Sequence, residues 1–550
     1  MPKLGCRAWV LIGCLTACLA HGFGSATRTF SYDDIEAIVE NPVVRGDLPW
    51  SSVFDRDYWQ HRGAVGHYRP TATASLRADY ALWGPDARGF RWTNLGLHAG
   101  VVALLVALSW RSAPGRIPLG ALLVAAHPAL ADSVAWISGR TSLVSALPLV
   151  AATWFLVQQR GSLTLAMGVA FSATLLGVGG KEDAVLLLPL VVLAARDRAL
   201  PVGLAAAAGL ALLLLARFQV YGQVLPEAAG APYADLSVLE RLAFGGRALG
   251  EAARTLFWPF SIAPSYRGAP CFQPGTPPGG AWALVALAVL AAPGALLLHR
   301  RDTFHLVLGT AALALFPMTQ LVPLGEPFAP RYLYLPLVVL APLVALRPTR
   351  LRLLASTVLV LGCCVLSSVT GRAYATRAAH AKAVLAVVPN DPLAWTSLGV
   401  AHAEADDPQA AREAFERALA ADAQHARAWS NLAALELEAG EFERGIATLE
   451  RSLELFPGNG IAWTNLGAAH LRAGDPAGAL EAYERALAAL PGLSAAWRGR
   501  GAALEALERP DEALESLARA LALDPGDELA ARRRNRIQAR LSADQVPPFR

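Results

Sequence analysis

The sequence predicts an all-α protein: a polytopic membrane helical bundle of about eleven spans, followed by an α-solenoid. Three observations predict it. The 550-residue chain is 54% hydrophobic and only 17% charged, whereas ordinary soluble domains carry about 25% charged residues. Its charge is unevenly spread: residues 1–390 hold 19 Asp/Glu and 31 Lys/Arg, and residues 391–550 hold 25 and 17. A basic, apolar front and an acidic, polar back imply two domains in two solvents. Finally, Trp395, Trp429, Trp463 and Trp497 recur every 34 residues, as do Pro457, Pro491 and Pro525.

The spans come first. A crossing helix needs about 20 apolar residues. The apolar runs are 7–24, 92–110, 117–134, 141–158, 161–178, 183–196, 201–218, 280–298, 303–323, 331–347 and 351–369. Segment 243–264 is apolar too, but it carries Arg247, Glu251 and Arg254 and reads as interfacial or re-entrant. Residues 9–23 follow Lys3 and Arg7, a pattern shared by a cleaved signal and a retained first helix. Leu15 to Cys18 also resembles a lipoprotein cleavage site.

Basic residues in short loops mark the cytoplasmic side. With the N-terminus inside, the inside loops hold Arg111 to Arg116, Arg160, Arg196 to Arg198, Arg300 with Arg301, and Arg347 to Arg352. The outside segments become 25–91, 135–140, 179–182, 219–279, 324–330 and 370–550. Eleven spans satisfy this parity and put the repeats on the non-cytoplasmic side. The expected domains are 1–370 in the membrane with an outer loop at 25–91, then 371–541 as repeats and 542–550 as a tail. Only three of the 48 basic residues are Lys, a bias that points to a GC-rich bacterial genome and hence to the inner membrane. In a eukaryote the equivalent place is the endoplasmic reticulum membrane with lumenal repeats. The six cysteines include no CxxC pair, so neither a disulfide framework nor a zinc site is expected.

A 34-residue period with this spacing is the tetratricopeptide signature. Trp463, Leu466, Gly467, His470, Gly474, Ala479, Tyr483, Ala486 and Pro491 give its clearest copy. The array holds about four repeats, and 372–388 reads as the second helix of a partial one, continuous with the last span. The polar stretch Arg532 to Arg540 caps the solenoid. Such arrays bind extended peptide or protein in a concave groove; a spacer or an oligomerisation surface is the plainer alternative. His402, His425 and His470 read as packing or surface residues.

Polar groups gather in the outside segments. They are Tyr32-Asp33-Asp34, Asn41-Pro42, His67-Tyr68-Arg69-Pro70, the turn from Asp132 through Trp136-Ile137-Ser138-Gly139-Arg140, Gly179-Gly180-Lys181-Glu182-Asp183, and Glu326 through Arg331-Tyr332 to Tyr334. Asn94, His98 and His127 lie at outer helix ends. Charge near membrane depth is costly and marks functional cavities. Asp33 and Asp34, facing Arg69, Arg140, Lys181 and Arg331, suit sugar transfer from a phosphate leaving group. Cations neutralise the departing phosphate, and one of two coupled carboxylates takes the hydroxyl proton. The plainer readings stay open: Asp33 and Asp34 capping a helix from Ile35, Arg140 and Arg331 as interface anchors, and His67, His98 and His127 as structural residues.

Taken in order, the Tyr32-Asp33-Asp34 and Asn41-Pro42 elements, Tyr68-Arg69-Pro70, Asn94 with His98, His127-Pro128 through Trp136 to Arg140, Lys181-Glu182-Asp183 and Arg331 through Pro336 resemble a family. It is the transmembrane and tetratricopeptide repeat-containing proteins of the GT-C superfamily of lipid-dependent glycosyltransferases. The resemblance covers 30–370 by motif and 372–530 by architecture. It implies O-mannosylation of exported Ser or Thr hydroxyls from polyprenyl-phosphate mannose, with the acidic motif of the first outer loop at Asp33-Asp34. Placing the phosphate on Arg69, Arg140, Lys181 and Arg331, with His67, Tyr68, His98, His127 and Tyr332 in support, follows from charge and position. The expected partners are an acceptor protein or peptide in the repeat groove, the polyprenyl-phosphate lipid and the membrane, with no nucleic acid. Nothing demands a metal, although a divalent ion is compatible with the site. Eukaryotic members carry more repeats, and here Asp183 stands where Asn or Ser is usual.

Two further classes compete. A non-enzymatic membrane scaffold would use the repeats to gather envelope proteins. A transporter would need helices broken at the midplane, where these runs are continuous Ala, Leu and Val. The chain also lacks the GxxxxGK[ST] loop of a nucleotide site, in keeping with a lipid-linked donor.

Overall fold

The computed structural model describes residues 4–22, 29–30, 34–58, 67–158, 161–223, 236–260, 262–266, 272, 279–299, 303–321 and 328–544. Among them the chain is helical, without a strand, and one isolated antiparallel bridge joins Ile117 to Leu346. It divides into two compact units. Met1–Glu40, Trp50–Trp59 and Ala64–Pro389 form the first; Asn41–Pro49, Gln60–Gly63 and Asn390–Arg550 form the second.

Among the described residues of the first unit, four helices are long and apolar enough to cross a membrane: Ala87–Ser112, Ser138–Val157, Arg196–Tyr221 and Arg350–Tyr374. Shorter apolar helices include Cys6–His21, Leu163–Val178 and Ala281–Pro293. Several predicted runs are broken instead. Run 117–134 stops at Ala126, because His127 adopts an extended backbone before Pro128 and its ring Nδ1 accepts from Ala129 N at 3.2 Å. Proline disfavours helix in the preceding residue and lacks an N–H of its own. Run 183–196 is a 3₁₀ stretch, Glu182–Leu187, and a seven-residue helix, Leu188–Ala194. Run 331–347 is a helix of similar length, Tyr334–Leu340, between two 3₁₀ turns. The bundle is therefore less uniform than eleven even spans. Segment 243–264 gives an amphipathic helix, Val238–Phe257, opened by a Ser237/Glu240 capping box.

Small residues let these helices approach. A Cβ on Gly13 would lie 2.9 Å from Val102 Cγ1, and one on Gly209 would lie 2.9 Å from the Phe171 carbonyl oxygen. On Arg196–Tyr221 the protein-facing stripe is Val202, Ala205, Ala206, Gly209 and Arg217, while Leu204, Leu212, Leu215 and Phe218 are exposed. The helix Arg377–Val387 is not continuous with the long helix before it. Thr376 turns extended and its side chain caps Ala379 N at 3.1 Å, ending the Arg372–Tyr374 turn and starting a new helix.

The second unit is a run of helical hairpins: Pro392–Glu404 with Pro408–Ala421, Ala426–Glu438 with Phe442–Leu455, Gly460–Arg472 with Pro476–Ala489, and Ser494–Ala506 with Pro510–Leu523. Glu528–Asp544 closes it. The periodic residues explain the packing. Gly399, Ala433, Gly467 and Gly501 share one register, and Phe415, Leu449, Tyr483 and Leu517 share another. A Cβ on Gly399 would lie 2.5 Å from Phe415, one on Gly467 2.8 Å from Tyr483, and one on Gly501 2.8 Å from Leu517. Trp429, Trp463 and Trp497 each donate their indole N–H to the carbonyl six residues back, at 2.8–2.9 Å. The hairpin turns use a positive φ at Asp406, Gly440, Gly474 and Glu508, again 34 residues apart. Asn41 caps a single turn, Pro42–Arg45, in this unit, and Arg45 Nη2 donates to Asp524 Oδ1 at 2.9 Å.

Candidate active site

The centre of the site is the turn that follows Ala131–Ala135. Trp136 is extended, and Ser138–Arg140 form a 3₁₀ turn. Gly139 is required there, since a Cβ would strike the Asp132 carbonyl oxygen. Asn94 holds the turn from Ala87–Ser112: its Nδ2 donates to the carbonyls of Val134 at 3.2 Å and Trp136 at 3.1 Å. Arg91 Nε donates to the Ala135 carbonyl at 3.2 Å, and its Nη2 to that of Tyr374 at 3.1 Å.

Held this way, Ser138 meets the first-loop carboxylate. Its backbone N–H and its hydroxyl both donate to Asp34 Oδ1, at 2.9 and 2.8 Å. Asp34 is fully buried; Asp33 lies outside the described residues. The Tyr58 phenol lies beside Ser138, in the field of Asp34, Arg69 and Arg140. Burial pushes that phenol up to about 12, with Arg69 opposing and the Asp34 charge adding to the rise.

Each cation expected to hold phosphate faces a carboxylate. Arg69 pairs with Glu182, through Nε at 3.1 Å and Nη2 at 3.0 Å, and its guanidinium lies 5.7 Å from the Tyr58 ring centre. His67 Nδ1 is 3.3 Å from Arg69 Nη2 and 3.7 Å from Glu182 Oε1. Burial alone would raise the Glu182 pKa, but Arg69 and then His67 hold it well below the usual carboxylate range. Lys181 pairs with Asp183 at 2.9 Å and Arg331 with Asp132 at 3.3 Å. Tyr332 brings these two together, its ring centre 5.4 Å from Lys181 Nζ and 5.5 Å from the Arg331 guanidinium.

Arg140 is different. It is fully buried, and its three nitrogens donate to Asn94 Oδ1 at 2.8 Å, Ser75 Oγ at 3.1 Å, and Asp79 Oδ2 and the Phe90 carbonyl at 2.5 and 2.9 Å. All three are committed inside the protein, so the geometry has Arg140 holding the turn in place of a ligand. Three other expected residues have structural partners as well. Tyr68 Oη donates to the Phe54 carbonyl at 3.0 Å. His127 Nε2 meets the Leu256 carbonyl at 3.0 Å. His98 Nδ1 meets Tyr334 Oη at 2.9 Å, and its ring is edge-on to His21.

Sequence reasoning gave no role to Asp57, Tyr58, Asp79, Asp132, Ser138 or Glu182. Asp79 lies in the helix Pro70–Trp83 among Thr73, Ser75 and Arg77, so nothing local singled it out. Chemically, the arrangement offers a buried carboxylate, Asp34, fixed by Ser138, and four cations that each have a carboxylate partner of their own.

The fold and this site define an all-helical protein with helices apolar enough for a membrane and a C-terminal solenoid. Residues 372–426, 401–460, 430–494 and 464–528 match the tetratricopeptide repeat family, so 372–528 are tetratricopeptide repeats. The chain is 31% identical over 141 residues to protein O-mannosyl-transferase TMTC2 of Homo sapiens, covering 24% of this chain and 16% of that protein. It is 33% identical over 138 residues to TMTC4 of Homo sapiens, covering 22% and 19%. It is 29% identical over 176 residues to Tmtc1 of Drosophila melanogaster, covering 30% and 20%. The chain thus spans at most a fifth of the length of these curated relatives. Among solved structures it is similar to MamA, at 26% identity and a TM-score of 0.24 over 27% of this chain and 81% of that one. It is also similar to the first TPR of Spaghetti (RPAP3) bound to an HSP90 peptide, at 26% and 0.22 over 22% and 96%.

Proposed function

We propose that the protein is a membrane glycosyltransferase. It moves a sugar, mannose, from a polyprenyl-phosphate donor to Ser or Thr hydroxyls of exported proteins. The observation that carries this reading is the buried Asp34 carboxylate, fixed by two hydrogen bonds from Ser138, whose charge acts on the Tyr58 phenol together with those of Arg69 and Arg140. The names of its relatives support the same chemistry.

The reaction is a single inverting displacement. The acceptor oxygen attacks the anomeric carbon and gives its proton to Asp34, alone or coupled with Asp33. The bond from that carbon to the phosphate oxygen breaks, and the phosphate leaves with the bonding electrons. Arg69, Lys181 and Arg331 neutralise its charge, while Arg140 acts at one remove by holding the Ser138 turn. The repeats bind the acceptor polypeptide along their concave surface, on the non-cytoplasmic side of a bacterial inner membrane.

One observation favours a non-enzymatic scaffold instead: Arg69, Arg140, Lys181 and Arg331 are all paired with carboxylates, as a purely structural network would be. Sugar transfer decides between them. Wild type and Asp34→Asn are incubated with mannosyl-phosphoryl polyprenol and exported proteins, and labelled protein is sought by mass spectrometry. Transfer by wild type, lost about a hundredfold or more in the variant, is the expected result. If neither transfers while a matched active enzyme does, mannose is the wrong sugar. If other lipid-linked sugars also fail, the scaffold reading replaces this one.

A further inference from the structure

Arg217 is a buried cation that the reading above does not use. It lies one turn before Tyr221 on Arg196–Tyr221, on the protein-facing stripe, and is 5% exposed. Among the described residues, its Nε and Nη2 have no hydrogen-bond partner and no carboxylate pairs with it. Its guanidinium lies 5.3 Å from the centre of the Tyr221 ring. Tyr221 in turn ties it to the site. The Tyr221 hydroxyl donates to Asp57 Oδ2 at 2.8 Å, and the same oxygen accepts the His67 backbone N–H at 3.1 Å. The Glu182 carboxylate also acts on Tyr221.

A guanidinium cannot shed its proton, and a buried charge without a counter-charge is strongly unfavourable. Such a group at the end of a membrane-type helix marks the path of an anion. Its planar fork matches two oxygens of a phosphate. Leu212, Leu215 and Phe218 of the same helix are about half exposed, so the helix that carries Arg217 also presents an apolar strip suited to a membrane.

We propose that Arg217 is a phosphate-binding residue that receives the phosphate ester of a membrane lipid at the Tyr221 end of its helix. That the lipid is the sugar donor rests on the transferase reading; the phosphate chemistry does not. Free phosphate and a phospholipid headgroup carry the same chemistry, so the test separates the three sources.

The full chain, purified in a phosphate-free maltoside detergent, is titrated with farnesyl phosphate, phosphatidylglycerol and inorganic phosphate, with binding and melting temperature as readouts. Farnesyl phosphate is expected to bind and stabilise wild type, to bind Arg217→Gln at least tenfold more weakly, and to bind Arg217→Lys in between. Ligand-free Arg217→Gln is expected to melt no lower than wild type, because it loses an uncompensated charge. Equal or tighter binding of phosphatidylglycerol or inorganic phosphate that also needs Arg217 supports the phosphate site and assigns it to that source. The proposal is overturned if all three ligands bind wild type and Arg217→Gln alike, if none binds wild type, or if ligand-free Arg217→Gln is markedly less stable. A protein that binds phosphate through Arg217 but transfers no sugar sinks the transferase reading alone. One that transfers sugar while Arg217→Gln binds like wild type sinks this proposal alone.

Discussion

Ser138 donates both its backbone N–H and its hydroxyl to a single oxygen of Asp34, at 2.9 and 2.8 Å. The pair joins positions 104 residues apart in the chain and fixes a carboxylate with no solvent contact. A hydrogen bond to a charged group contributes about 1.5–3 kcal/mol, and about 1.4 kcal/mol is tenfold in rate. If Asp34 is the base, Ser138→Ala lowers kcat about 10- to 100-fold, while Ser138→Thr keeps most of the activity. Steady-state transfer in membranes measures both, and a Ser138→Ala protein with wild-type kcat would remove Ser138 from the mechanism.

The same turn predicts a stability defect. A side chain on Gly139 would meet the Asp132 carbonyl oxygen and lie 3.1 Å from Ser133 Cα. Backbone atoms cannot swing aside as a flexible side chain can, so Gly139→Ala is expected to destabilise by about 1–3 kcal/mol. Thermal unfolding of the detergent-solubilised chain reads this directly. An unchanged melting temperature would mean that the turn shifts freely and is not the rigid support described.

How much of this was legible depends on the range of each signal. The repeats were legible because Trp463 recurs every 34 residues, while Gly467 and Tyr483 stand in registers of small and of large apolar residues, and the period alone implies the packing. Even there, Asp406 and Glu508 hide turn positions that Gly440 and Gly474 announce. The broken helix at His127-Pro128 was also within reach, since proline's effect on its predecessor is local. The partners of the cations were not. Asp79 reaches Arg140 across 61 positions and Asp132 reaches Arg331 across 199, and no local pattern encodes such pairings. The sequence grouped Arg140 with the other cations of the expected outer segments but could not show that its donors were already committed. Arg217 was hidden differently, as one charge near the end of a long apolar run.

The Arg140–Asp79 pair separates a structural role from a ligand-binding one. Both side chains are almost wholly buried. Removing one partner of such a pair leaves an uncompensated charge and costs about 3–5 kcal/mol, whereas an apolar replacement of both is often near neutral. Arg140→Met and Asp79→Leu are therefore each expected to destabilise strongly, and the double variant to recover most of the loss. A double-mutant cycle on the melting free energy checks it. If Asp79→Leu alone were harmless, Arg140 would be free for a ligand after all.

The Arg69–Glu182 pair sets a pH window. Arg69 and His67 hold the Glu182 carboxyl well below its usual range. Its contribution to stability is therefore complete above the unfolded glutamate value of about 4.3. It is lost as the pH falls from there through the depressed folded value, because the unfolded state takes up the proton first. Wild type should lose melting temperature between about pH 5 and pH 3 more steeply than Glu182→Gln, which has no carboxyl to protonate. The difference should shrink in high salt, since Glu182 is 38% exposed and its pair is partly screened. Melting curves across that range, at low and high ionic strength, test both parts. Parallel curves for wild type and Glu182→Gln would show that the pair adds nothing to the fold and would leave Arg69 open to exchange Glu182 for a phosphate at little cost.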